Sequence, residues 1–252
     1  MEVHHHAHTA RKKWTHYLWE FLMLFLAVFC GFLAEYQLEH KIEKERGKQY
    51  ILSLYEDLNA DTARINYLIQ YDDEKIAALN TMTNCYDTVL KNWKATDCMG
   101  LLIKHSKTNR AFQIADRTLR QLSNAGGFRL LKKEDADSIL SYENMFIAYR
   151  NFESTVYQTA QDNVRNTLNE LVSFKVNAPL QTSTAIGRGA DTTSEKPSGP
   201  LLFLEDNALL NKWFNELLVY RRTMIGQRNT LNQFLIKATG LIEYYKNNHH
   251  LK

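Results

Sequence analysis

Four histidines crowd the start of the chain, His4, His5, His6 and His8, in a tail reading MEVHHHAHTARKK. Imidazole nitrogens suit Zn²⁺, Cu²⁺ or Ni²⁺. Adjacent imidazoles on a floppy tail bind weakly and without selectivity, and no cysteine or carboxylate completes a defined set. A disordered tail over residues 1–13 is therefore the expectation, with metal binding at those four histidines as the alternative. Three cysteines occur, Cys30, Cys85 and Cys98. Cys85 and Cys98 either pair in an oxidising compartment or stand unpaired as a helix-face and a loop residue. The Asn124-Ala125-Gly126-Gly127 stretch has the glycines of a phosphate loop. It lacks a preceding strand and a following GKS or GKT, so it reads as a helix stop. Among the other histidines, His40 falls in a stalk, His105 in a loop, and His249 and His250 in the C-terminal tail. None can be placed for a Ser-His-Asp, Cys-His or Glu-x-x-His arrangement. A non-enzymatic protein without a cofactor is expected.

The element that must position everything else is the apolar run Trp14–Tyr36, WTHYLWEFLMLFLAVFCGFLAEY. Its uncharged centre, Phe21 to Ala34, covers only about 21 Å as a helix, short of the ~30 Å hydrocarbon core. The flanks extend it. Trp14, Tyr17 and Trp19 on one side and Tyr36 on the other are placed like an interfacial aromatic belt, with Phe21, Phe25, Phe29 and Phe32 between them. A single transmembrane helix over 14–36 is expected, with an in-plane or core helix as the alternative. Cleavage as a signal is disfavoured because Phe32 would occupy the −3 position of a cut after Ala34. Cys30 lacks the small residue expected before a lipidated cysteine. Arg11, Lys12 and Lys13 before the span face Lys41, Lys44, Arg46 and Lys48 after it, a near tie in the positive-inside count. The expectation is an inner-membrane protein with its N-terminus inside and its bulk outside.

At 252 residues and 44% hydrophobic, the chain can bury a core beyond this segment. A net charge of +3 spread along the sequence carries no basic stripe for nucleic acid. Ten glycines and three prolines, all the prolines within 178–200, leave long stretches without a breaker. Residues 37–50 alternate charge and read as a helical stalk. From Ile51 a heptad runs through Leu58, Ile65, Leu79, Tyr86 and Trp93, with Leu54, Leu68, Met82 and Val89 at its second position. Asp61, Asp72 and Lys75 interrupt it. The Asp72-Asp73-Glu74-Lys75 break reads as a bend or a face turned to water, with a functional notch as the rival reading.

Residues 31–58, GFLAEYQLEHKIEKERGKQYILSLYEDL, resemble the opening of an uncharacterised family from Bacteroidota bacteria, small proteins with one N-terminal membrane helix and a helical domain. Leu122 to Leu131 resembles a second family segment more loosely. The resemblance implies architecture and transfers no active-site residue.

The remaining chain is read as a connection over 94–109, a short helix over 110–123, and a long aromatic-striped helix over 134–174. That stripe runs through Ile139, Tyr142, Phe146, Tyr149, Phe152, Val156 and Ala160. A flexible loop follows over 178–200. The last helix, about 206–246, steps by three and four through Leu210, Trp213, Leu217, Tyr220, Met224, Gln227, Leu231, Phe234, Ala238, Leu241 and Tyr245. Gln227, its one polar member, either fixes register or partner choice or simply hydrogen-bonds another helix. The expected fold is all-α: a single N-terminal transmembrane helix, a charged stalk, and an elongated antiparallel bundle over 51–252. Its expected role is a scaffold, interaction or sensor-like module of the bacterial cell envelope. The partners would be the lipid bilayer and a protein or a second copy of the chain, not nucleic acid. A ligand- or metal-binding bundle is the alternative.

Overall fold

The computed structural model describes residues 14–173, 201–203 and 205–251. The His4, His5, His6 and His8 cluster and the 178–200 stretch lie outside them. The described chain is helical, with one isolated bridge between Val172 and Leu202. Helix α1 (Trp14–Leu79) is a single element of 66 residues, about 99 Å long. It runs unbroken from the apolar segment through the charged stretch into the packed region. Among the described residues it is the one helix long and apolar enough to cross a membrane.

Every residue from 14 to 42 is exposed. Packing begins at Gly47, which is buried against the turn at 127–130. A Cβ built there would meet the Leu130 carbonyl oxygen at 2.5 Å, so the close approach requires glycine. Beyond it, Ile51, Leu54, Leu58, Ile65, Leu68 and Leu79 turn inward at the predicted heptad positions.

The heptad does not continue as one helix to residue 93. Asn80 and Thr81 form a turn, in which the Thr81 hydroxyl donates to the Ala78 carbonyl, and α2 (Met82–Lys91) restarts beyond it. Such side chains compete with the helical ladder for backbone groups. The expected connection over 94–109 contains a helix instead, α3 (Asp97–Lys107), whose Met99, Leu102, Ile103 and Ser106 make a buried face. The element was too short, and Gly100 too suggestive of a loop, for periodicity to reveal it.

The expected helix over 110–123 is half the predicted length. Residues 109–116 are irregular, with Phe112 and Ile114 buried while Ala111 and Gln113 face out, the alternation of an extended chain. Only Arg117–Asn124 (α4) is helical. Gly126, at φ +62°, supplies the left-handed stop that the sequence indicated.

The expected helix over 134–174 divides. α5 (Lys133–Phe152) leads into a π-turn (Glu153–Tyr157) and then α6 (Gln158–Leu171). The π-turn shifts the stripe, so that Tyr157 is fully buried whereas Val156 is 42% exposed. Val172 then leaves the helix to pair with Leu202.

α7 (Asn207–His249) starts where Asp206 accepts hydrogen bonds from the backbone N–H groups of Ala208 and Leu209, at 2.8 and 3.1 Å. All eleven positions of the predicted three-four pattern are buried. α7 lies antiparallel along α1: Tyr220 and Arg228 reach Lys75 and Asp73, while Tyr245 shares a cluster with Ile51. The packed apolar residues divide into two clusters. One is built around Leu79, Met99, Trp213 and Leu217, the other around Ile51, Phe112, Tyr142 and Phe234.

Candidate functional site

Between the two apolar clusters lies a polar layer, and its centre is Lys75. The side chain is fully buried. Its Nζ donates to the Tyr220 hydroxyl at 2.7 Å, to the Tyr157 hydroxyl at 3.4 Å and to the Thr108 carbonyl. The two tyrosine hydroxyls are themselves 2.9 Å apart. The rings of Tyr71 and Tyr220 lie 5.2 and 5.3 Å from the ammonium, near enough for cation–π attraction. α1 brings the lysine, α7 brings Tyr220, and the π-turn aims Tyr157 inward. Single π-turns inside α-helices are often found at functional positions.

Burial and charge oppose one another here. Desolvation pulls the Lys75 ammonium down to about 7, with the Asp72 charge resisting. The same desolvation pushes the Asp72 carboxyl up to about 7; Lys75 resists and Asp73 adds to the rise. Burial raises Tyr157 and Tyr220 well above the ordinary phenol range, so both hydroxyls keep their protons. Asp72 Oδ2 is buried without a hydrogen-bond partner. The three protons of the ammonium meet three acceptors. That arrangement suits a structural cation better than a nucleophile, which would need an open approach to the nitrogen.

Gln227 belongs to the same region. Its Nε2 donates to the Tyr149 hydroxyl at 3.1 Å, and its Oε1 is buried and unpaired. The hydrogen bond to a neighbouring helix is thus the local fate of the one polar seam residue.

A second buried charge, Asp61, organises the irregular segment. It accepts from the Ala115 N–H at 2.8 Å and from the Tyr142 hydroxyl at 3.0 Å. Burial raises its carboxyl to about 6 against those two hydrogen bonds. Asp57, one turn earlier, accepts from both the N–H and the hydroxyl of Thr118. These two aspartates dock residues 115–118 onto α1, which explains why a helix does not begin at 110.

Asp61, Asp72 and Lys75 therefore face the interior; for Asp72 and Lys75 this corrects the expectation of a bend or a water-facing side, whereas Asp73 and Glu74 between them are exposed. The information was present in their register, since all three occupy heptad positions. Hydropathy alone had turned them outward. Tyr157 was invisible to the pattern because only the π-turn brings it in. Histidine is also not confined to loops and tail. His105 lies in α3, and His249 ends α7, where it meets the buried Asp135 at 3.1 Å.

Cys85 and Cys98 form a disulfide, with Cα atoms 5.6 Å apart, tying α2 to α3. Among the described residues no group of three His, Cys, Asp or Glu side chains converges as a metal site. Trp14, Tyr17, Trp19, Phe21, Phe25, Phe29, Phe32 and Tyr36 are all exposed along one helix, and Phe21, Phe25 and Phe29 stack in succession at 6.2 and 5.9 Å. Beside the π-turn lies a groove of about 500 Å³, with Ile114, Phe146 and Ile147 against Glu143, Arg150 and Glu153.

No family model, curated protein or solved structure matches this chain.

Proposed function

We propose that the chain is a single-pass membrane protein of the bacterial cell envelope. Residues 14–36 anchor it, residues 37–50 form a stalk that packs from Gly47 onward, and an elongated antiparallel helical bundle acts as a non-enzymatic scaffold, interaction or sensor-like module. The observation that carries this reading is the apolar, wholly exposed 14–36 segment of α1, continuous with a packed and partly charged interior. Leaving so much apolar surface in water forfeits about 25 cal/mol per Å², which a bilayer recovers. The aromatic residues at both ends suit the two interfaces. The Cys85–Cys98 disulfide favours an oxidising compartment for the bundle. The resemblance of residues 31–58 to the Bacteroidota family agrees with this architecture.

The test uses the full chain with a C-terminal epitope in a bacterial host. Membrane fractionation with alkaline washing should leave it in the pellet, and protease added to intact spheroplasts should remove the epitope. Epitope protection until lysis would place the bundle on the cytoplasmic side and overturn the orientation. Release into the soluble fraction would overturn the anchor itself.

One observation favours the second reading, a tethered ligand-binding bundle: the unpartnered Asp72 Oδ2 in a layer flanked by the π-turn and its groove. Native mass spectrometry of protein purified from its membrane would show a retained small molecule or metal if that reading holds.

A further inference from the structure

The end of the packed region nearest the apolar segment carries a recess of about 270 Å³. Lys44 and Lys48, one turn apart on α1, line one side; Lys132 and His249 line the other. Gly47 forms part of the wall. Among the described residues, no carboxylate pairs with Lys44 or Lys132. Lys48 has a surface contact to Glu45 at 3.5 Å, and the one acid lining the recess, Asp135, is buried and held by His249. Two lysines without a carboxylate partner and a third that is loosely paired thus line one concave surface.

Its position matters as much as its charge. Lys44 lies eight residues beyond Tyr36, about 12 Å along the helix axis. Helical side chains lean towards the helix N-terminus, which here means towards the apolar segment. The headgroup layer extends about 5–7 Å beyond the hydrocarbon, and charges attract across a Debye length of about 8 Å. Lysines so placed face a bilayer surface within that range.

We infer that this recess binds the phosphate of anionic phospholipid headgroups, fixing the tilt of α1 and seating the packed region against its own membrane. The inference rests on the membrane reading proposed above. Cationic residues next to a membrane helix each gain from an anionic surface, and a concave cluster adds contact to a single phosphate.

The full chain is reconstituted into vesicles of phosphatidylcholine alone, or of equal parts phosphatidylcholine and phosphatidylglycerol. Flotation is read first, then acylation of individual lysines by mass spectrometry. Lys44, Lys48 and Lys132 should be acylated several-fold more slowly in the anionic vesicles, and high salt should abolish the difference. Exposed Lys91 and Lys212, remote from the recess, should react alike in both. In the double variant Lys44→Gln/Lys132→Gln, Lys48 should lose its protection while flotation persists. Flotation with equal acylation in the two membranes would overturn the headgroup site alone. Protection by inorganic phosphate in neutral vesicles, without protection in anionic ones, would assign the recess to free phosphate instead. Failure to float with either vesicle would overturn the membrane reading and this inference with it.

Discussion

The two parts of α1 reverse the usual rule of burial. In its first third Phe21 is 65% exposed and Phe25 54%, while in its last third Lys75 and Asp72 are 0% and 1% exposed. One continuous helix thus presents phenylalanines outward and buries a lysine. Burial follows the partners that neighbouring elements supply. Phe25 stacks on Phe21 and Phe29 of its own helix, whereas Lys75 receives Tyr157, Tyr220 and Thr108 from three other segments. A buried charge supplied with partners in this way gives register more dependably than net stability.

The strongest way to break this contrast is to empty the polar layer. Lys75→Ala should cost about 3–5 kcal/mol by urea denaturation, because it leaves Asp72 and two tyrosine hydroxyls buried without their cation. The paired change Lys75→Met/Asp72→Leu should recover most of that loss. If the paired variant is as unstable as Lys75→Ala, the layer is held by something other than charge balance.

The same layer predicts an unusual pH profile. Asp72 titrates near 3.8 when unfolded and near 7 when folded, so stability falls as pH rises between those values. Lys75 titrates near 10.5 unfolded and near 7 folded, so stability rises as pH rises from about 7 towards 10.5. Together they place a dip near neutral pH in the urea midpoint. The dip should be absent from Lys75→Met/Asp72→Leu, and a wild-type profile of the same shape as the variant's would rule it out.

A smaller effect comes from the disulfide. Its sequence separation of 13 closes a short loop, and reduction should lower stability by about 2–4 kcal/mol. Cys85→Ser/Cys98→Ser should reproduce the reduced state and become insensitive to reductant. The smallest effect separates the two parts of α1 by a single methyl group. Gly47→Ala should cost about 1–3 kcal/mol through collision with the Leu130 carbonyl. Gly31→Ala meets nothing within 4 Å and should leave unfolding of the packed region unchanged. Equal effects at the two sites would mean that packing does not begin at Gly47.

Long periodic elements were legible from sequence, and the site was not. The α7 seam is correct at every position because eleven residues repeat without interruption, so a single error in register would have been visible. The helical character of residues 51–79 was likewise plain. What failed depended on contacts between segments distant in sequence. Asp57 and Asp61 hold Ala115 and Thr118 in a form that local propensity does not favour. The π-turn replaces Val156 by Tyr157 through one extra residue, which a fixed period cannot anticipate. Lys75 was identified as an interruption, but its polarity was weighed above its register.

The unpacked length of α1 also sets a clearance. On the anchoring proposed above, Tyr36 lies at the interface and the first packed residue, Gly47, stands about 16 Å above it. Headgroups occupy about 5–7 Å of that height, leaving a slot of roughly 10 Å beneath the packed region on the side away from the lysine recess. A folded domain of ordinary size, with a radius of gyration near 13 Å, does not fit. Side chains, lipid headgroups and extended peptides do. A globular partner must therefore approach from the flank or from the far end, where the disulfide-tied α2 and α3 meet the start of α7.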